Sequence, residues 1–142
     1  MTTPATPPET PHEILILPDH LRRRIIEHCV AALPNEGCGL IASDEVGRVV
    51  AIYPTGNADP SPATYTIPPK EHYAALTDAD AHGWELSGVF HSHPNGLAEP
   101  SPTDLALALD STWTYLVVGL GPEPVIRAWR IRAGEAREVS LG

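Results

Sequence analysis

Three side chains within one short stretch carry metal-binding chemistry: His91, His93 and Asp104. The run Leu86-Ser87-Gly88-Val89-Phe90 reads as a buried strand that ends in His91-Ser92-His93. Alternate residues of a strand share a face, so the two imidazoles project together and Ser92 turns away. Pro94 and Asn95-Gly96 then break the strand into a loop. The loop ends at Ser101-Pro102-Thr103-Asp104, with Ser as N-cap, Pro at the first helical position and an acid at the third. Two imidazoles and a carboxylate supply three corners of a tetrahedral zinc site. The fourth corner is left for water, which separates a catalytic zinc from a structural one. Each residue also has a plainer reading. A histidine at a strand end is commonly a surface or hydrogen-bonded side chain, and Asp104 could serve only as an acid at a helix N-terminus. The combination with Pro94 and Pro100-Ser101 favours metal.

His91-Ser92-His93-Pro94 followed by Pro100-Ser101-Pro102-Thr103-Asp104 resembles the signature of the JAMM (MPN-type) zinc metallopeptidases. Within that family, the segments Glu36-Gly37-Cys38-Gly39-Leu40 and Asn57 to Tyr65 are similar to those of the small bacterial Mec-like peptidases. The likeness spans roughly residues 13 to 141. It implies one zinc ion held by His91, His93 and Asp104, with Glu36 as general acid/base and Ser101 as the donor to the oxyanion. It also implies a substrate: the amide after the C-terminal Gly-Gly tail of a small ubiquitin-like or sulfur-carrier protein, as when cysteine is released from such a carrier. Asn57 matches a polar position of the Mec-like segment, either orienting the substrate tail or capping a turn.

The residues alone leave more room. Glu36 also reads as an ordinary exposed acid between a helix and a strand, and Ser101 as a simple N-cap. The two roles of Ser101 are compatible, because a hydroxyl both accepts and donates. His12, His20, His28, His72 and His82 lack ligand spacing and read as surface or helix-face residues. Cys38, flanked by glycines on an aliphatic strand, reads as packing rather than as a nucleophile. A nucleobase deaminase would need a P-C-x-x-C that is absent. Two further readings belong to the same family: a non-catalytic MPN interaction scaffold and a RadC-like domain linked to DNA repair.

The elements that must position these groups follow from periodicity. The 142 residues suffice for one domain with a single core. We expect a Pro/Thr-rich tail at 1–12 and the folded domain at 13–142. The net charge of −9 argues against nucleic acid, and Arg22-Arg23-Arg24 reads as a solvated helix face. Two cysteines without a C-x-x-C pattern read as reduced buried thiols in a cytoplasmic protein. No apolar run is long enough for a membrane span, and the N-terminus lacks the features of a signal peptide.

Helices are expected from Asp19, as N-cap, to Leu33, over Lys70 to Ala81, and from Ser101 to about Asp110. Strands are expected at Glu13–Leu17, Cys38–Ser43, Arg48–Tyr53, Ala63–Ile67, Leu86–His93, Trp113–Gly119, Pro124–Ile131 and Ala136–Leu141. The strand at Ala63–Ile67 is the expected edge for pairing with a substrate tail. Helices and hairpins between strands imply an α/β (α+β) fold, a mixed sheet flanked by helices. That the sheet curls into a partly open barrel of the JAMM/MPN, cytidine-deaminase-like type is what the resemblance implies.

Overall fold

The computed structural model describes residues 14–142. The tail expected at 1–12 and the expected strand start at Glu13 lie outside them. The chain runs β1 (Ile14–Leu15), α1 (Asp19–Ala32), β2 (Cys38–Ser43), β3 (Val49–Thr55), α2 (Pro69–Ala81), β4 (Glu85–His93), α3 (Pro102–Leu107), β5 (Thr114–Gly119), β6 (Val125–Arg132) and β7 (Glu135–Leu141). The strands form one seven-stranded sheet in the order β1-β7-β6-β5-β4-β2-β3. The β4–β5 and β1–β7 pairs are parallel and the others antiparallel, a mixed sheet as expected. Ile16, just after β1 at one end, bridges Arg48 at the other. Its amide donates to the Gly47 carbonyl at 3.0 Å and its carbonyl accepts from Val49 at 2.8 Å. That contact draws the two edges together and curls the sheet into a partly open barrel.

β4 lies centrally, between β2 and β5, and every residue from Gly88 to His93 is buried. A strand covered on both faces sorts its side chains by alternation. Phe90 joins the core cluster containing Leu21, Ile25 and Cys29 of α1 with Leu116 and Val118 of β5. Val89 joins the opposite cluster, with Leu40, Tyr115, Ile131 and Ala75 of α2. The helices therefore cover both faces of the strand that carries His91 and His93. Ile25 is fully buried in the first cluster; truncating such a side chain to alanine typically costs about 2–5 kcal/mol.

Three expectations need correction. Ala63–Ile67 is not a strand but part of an irregular strap between β3 and α2. Its backbone is partly taken by local bonds: the Thr66 amide donates to the Asn57 Oδ1, and the Thr66 carbonyl accepts from Ala58. It offers no paired sheet edge. Helix α3 stops at Leu107 rather than near Asp110, since Ala108 turns extended with ψ at 112°. Asp19 is the first helical residue rather than the N-cap; Pro18 occupies the cap and makes no side-chain bond. A proline with its preset φ gives the chain a helical entry without a capping oxygen.

Candidate metal centre

His91 and His93 project from the last turn of the pleat of β4, and Asp104 meets them from the first turn of α3. The His91 and His93 Nε2 atoms lie 3.1 Å apart. Asp104 Oδ2 lies 3.0 Å from each of them. The same carboxylate belongs to a capping box: Ser101 Oγ accepts from the Asp104 amide at 3.1 Å, and Asp104 Oδ2 accepts from the Ser101 amide at 2.8 Å. Ligand-like convergence and helix capping are both present, so the two readings of Asp104 do not compete.

The imidazoles are oriented by different means. His93 Nδ1 donates to the Leu97 carbonyl at 2.7 Å. This orients the ring and turns Nε2 toward the cluster, where it meets Asp104 in the metal-free protein. His91 has no such bond; its Nδ1 is buried without a partner. Its ring instead stacks on Tyr65, with centroids 4.4 Å apart and planes 21° from parallel.

Glu36 sits in the loop between α1 and β2 and is 2% exposed, which overturns its reading as a solvated acid. Its Oε1 is buried and has no hydrogen bond. A ligand atom from each of Glu36, His91 and His93 lies within 4.8 Å of the others. Both carboxylates thus face the imidazole pair. Asp104 is the one at bonding distance; Glu36 stands off with a free oxygen.

Electrostatics separates the two acids. Burial pushes Glu36 up to about 7, with His93 opposing and Asp104 adding to the rise. Burial acts on Asp104 in the same direction, but the hydrogen bonds from His91 and His93 overcome it and hold its carboxyl well below the usual carboxylate range. Burial lowers His91. For His93 burial acts downward too, yet the Asp104 and Leu97 contacts carry the net shift upward. These directions belong to the metal-free protein.

The donor set fits a small divalent cation. Ligands at about 2.0–2.1 Å on a tetrahedral zinc stand roughly 3.3–3.4 Å from one another. The triangle here needs to open by only a few tenths of an ångström. One carboxylate and two imidazoles, nearly excluded from water and with a second carboxylate unpartnered beside them, form a site that a cation would neutralise.

Two spaces flank the cluster. A cavity of about 360 Å³ runs along its His91 and Asp104 side, lined by Tyr65, Val89, Leu107, Trp113 and Tyr115 among others. An open basin of about 460 Å³ lies on the other side and includes Glu36, Ala63, His93, Leu97 and Ser101. Cys38 is buried, and burial raises its thiol pKa; its sulfur meets Thr55 and Gly56 rather than an imidazole. That is packing, as expected.

The sequence matches the Prok-JAB family, described as prokaryotic homologs of the JAB domain, over residues 18–132. The chain belongs to the Prok-JAB family. As a Prok-JAB protein it is a JAMM-type peptidase, and its curled mixed sheet is the fold of that group. It is 35% identical over 130 residues to a probable TtuB-protein conjugate cleaving protease of Thermus thermophilus, covering 90% of this chain and 82% of that one. It is 30% identical over 132 residues to a CysO-cysteine peptidase of Mycobacterium tuberculosis, covering 88% of each. A solution structure of a Desulfitobacterium hafniense protein superposes with a TM-score of 0.82 at 35% identity, covering 91% of both chains.

Several contacts escaped the sequence reading. Ser92, turned away from the imidazoles, accepts from the Gly37 amide at 2.8 Å and so grips the residue next to Glu36. Strand alternation announced its direction but not its partner. Tyr65 closes the Mec-like segment, and nothing in its spacing announced the stack on His91. His28 is not a bare surface histidine: its Nε2 lies 3.0 Å from the Cys38 carbonyl and 2.9 Å from that of Thr55, clamping β2 to β3.

Proposed function

We propose that this chain is a zinc-dependent peptidase that hydrolyses the amide bond after the C-terminal Gly-Gly tail of a small ubiquitin-like or sulfur-carrier protein in the cytoplasm. The observation that carries this reading is the convergence of His91, His93 and Asp104 beside the unpartnered Glu36 oxygen. Relatives named for cleaving TtuB–protein conjugates and CysO–cysteine support the substrate class.

His91, His93 and Asp104 hold the ion in this reading. When bound, zinc supplies a Lewis acid and brings water toward a pKa near 7, from about 16 in bulk. Glu36 takes the proton of the attacking water and delivers it to the leaving nitrogen, which would otherwise depart as a very poor amine anion. Its Oε1 has no other hydrogen-bond partner, which leaves that oxygen available to hold the proton in transit. Ser101 keeps its Oγ lone pair on the Asp104 amide while its hydroxyl hydrogen is free to donate to the developing oxyanion. Leu97 keeps His93 in the correct tautomer. A Gly-Gly tail, lacking β-carbons, approaches such a recessed centre closely.

The test is to incubate the zinc-loaded protein with Gly-Gly-terminated carriers joined by an amide to cysteine or to a lysine side chain, and to weigh the products. Chelator-sensitive release of the intact carrier is expected. Absence of cleavage in every adduct at full zinc occupancy would overturn the reading in favour of a non-catalytic scaffold.

A further inference from the structure

We propose that Asn57 is a positioning residue, whose side-chain amide sets Glu36 against the His91–His93–Asp104 cluster by fastening the Glu36 backbone to the strap between β3 and α2. The inference rests on the role of Glu36 proposed above.

Asn57 follows β3 directly after Gly56. Its Nδ2 donates to the Glu36 carbonyl at 3.2 Å and to the Thr64 carbonyl at 3.1 Å. Its Oδ1 accepts from the Asp59 amide at 3.0 Å and the Thr66 amide at 2.9 Å. Two carbonyl partners on one end and two amide partners on the other fix which atom is nitrogen. They also use both donors and both principal lone pairs. Nothing remains for a substrate, so the role expected for Asn57 as a substrate-binding residue gives way to an internal one.

The bonds fall where the site is assembled from distant pieces. Glu36 donates its own amide to the Ser61 carbonyl of the same strap at 2.8 Å. Next to it, Gly37 is gripped from the other side: its amide donates to Ser92 Oγ at 2.8 Å and its carbonyl accepts from the Ser92 amide at 3.0 Å. A Cβ on Gly37 would lie 2.8 Å from the Cys29 Cα, so this approach tolerates only glycine. Glu36 therefore hangs between the strap and the strand that bears both histidines. Tyr65, held between Thr64 and Thr66, carries the strap onto the His91 ring. Among these bonds, the Asn57 amide is the side chain that ties the Glu36 carbonyl to the strap, and it does so without touching the side chains of Glu36 or of the proposed ligands.

The test compares wild type, Asn57→Ala, Glu36→Gln and the double variant as zinc-loaded full-length proteins, well below their melting temperatures. The substrate probe is a Gly-Gly-terminated peptide joined by an amide to a fluorescent amine. Asn57→Ala should lower kcat about 10- to 100-fold, the scale of an ångström-sized misplacement, with KM within about twofold. Zinc content and the visible spectrum of the cobalt-substituted protein should not change. In the Glu36→Gln background the same substitution should add less than about twofold, because it acts through a group already removed. Additive loss in the double variant, a rise in KM without a fall in kcat, or an altered cobalt spectrum would overturn the proposal. Wild-type turnover in Glu36→Gln alone would sink the role of Glu36 itself, a separate result. If Asn57→Ala does not fold, Asn57→Asp keeps both acceptor contacts and loses both donor contacts. It should show the same kcat loss and the same non-additivity.

Discussion

The two halves of the site are built by different rules. The proposed ligand half, His91, His93 and Asp104, comes from a single strand–loop–helix stretch. Alternation along β4 pairs the imidazoles, and the capping box of α3 aims the carboxylate. The half proposed for proton transfer is assembled across the molecule. Glu36 reaches the cluster because β2 pairs with β4 in a register that sets Cys38 opposite His91. A strap from beyond β3 then holds its backbone. The first half is stiffened by regular elements on both sides, whereas the second depends on main-chain and side-chain bonds to a loop. On the proposed roles, mutation should separate metal binding from turnover along this line.

The sharpest break comes on the ligand side. Alanine at His91 or at Asp104 should empty the site, measured as zinc per chain, and lower turnover by about 10³-fold or more. At Asp104 the capping box is lost as well, for roughly 1 kcal/mol of stability seen in thermal unfolding. Full zinc occupancy in Asp104→Ala would reduce that residue to a cap. Next in size is Glu36→Gln, which should keep its zinc and lose about 10²- to 10⁴-fold in kcat. Loss of zinc from that variant would erase the division between the halves and make Glu36 a ligand.

Ser101→Ala should cost about 10- to 10³-fold in kcat through the missing oxyanion donor. It should also lose roughly 1 kcal/mol through the missing cap. A drop in stability with unchanged kcat would leave Ser101 a cap only.

The smallest effect concerns the metal-free protein. Burial raises its Glu36 pKa from the ordinary 4.5 to about 7. The folded state then binds more protons than the unfolded state across that window, so this group lowers stability as pH rises from about 4.5 to 7. Glu36→Gln should therefore stabilise the metal-free fold by about 1–3 kcal/mol at pH 8 and by almost nothing below pH 4, read from denaturant unfolding. An equal difference at both pH values would assign the effect to packing.

Legibility in the sequence follows the same division. His91, His93, Ser101 and Asp104 are readable because strand alternation and helix-start chemistry act over a few residues. The boundaries of β2, β4 and β5 are readable for a similar reason, since continuous aliphatic runs in central strands leave little choice. The strap is not. Its β-branched and aromatic residues at Ala63–Ile67 satisfy a strand pattern, yet Pro60, Pro62, Pro68 and the local bonds of Asn57 deny it a neighbouring strand. Glu36 is reached only through the family resemblance and its Gly37-Cys38-Gly39 flank, because its burial depends on loop contacts with no local signature. Backbone acceptors such as Leu97 are equally invisible, since every residue type carries a carbonyl.

The greasy chamber beside His91 and Asp104 has a pharmacological consequence. At about 360 Å³ it is near the lower size limit of pockets that hold small ligands. With an ion held as proposed by His91, His93 and Asp104, a compact chelator with one aryl or cycloalkyl arm could seat its head there and its arm among Leu107, Trp113 and Tyr115. Such a fragment would draw part of its affinity from a wall beyond the proposed metal ligands, and that wall would give a chemist a handle for telling this peptidase from metal-dependent hydrolases of other shape.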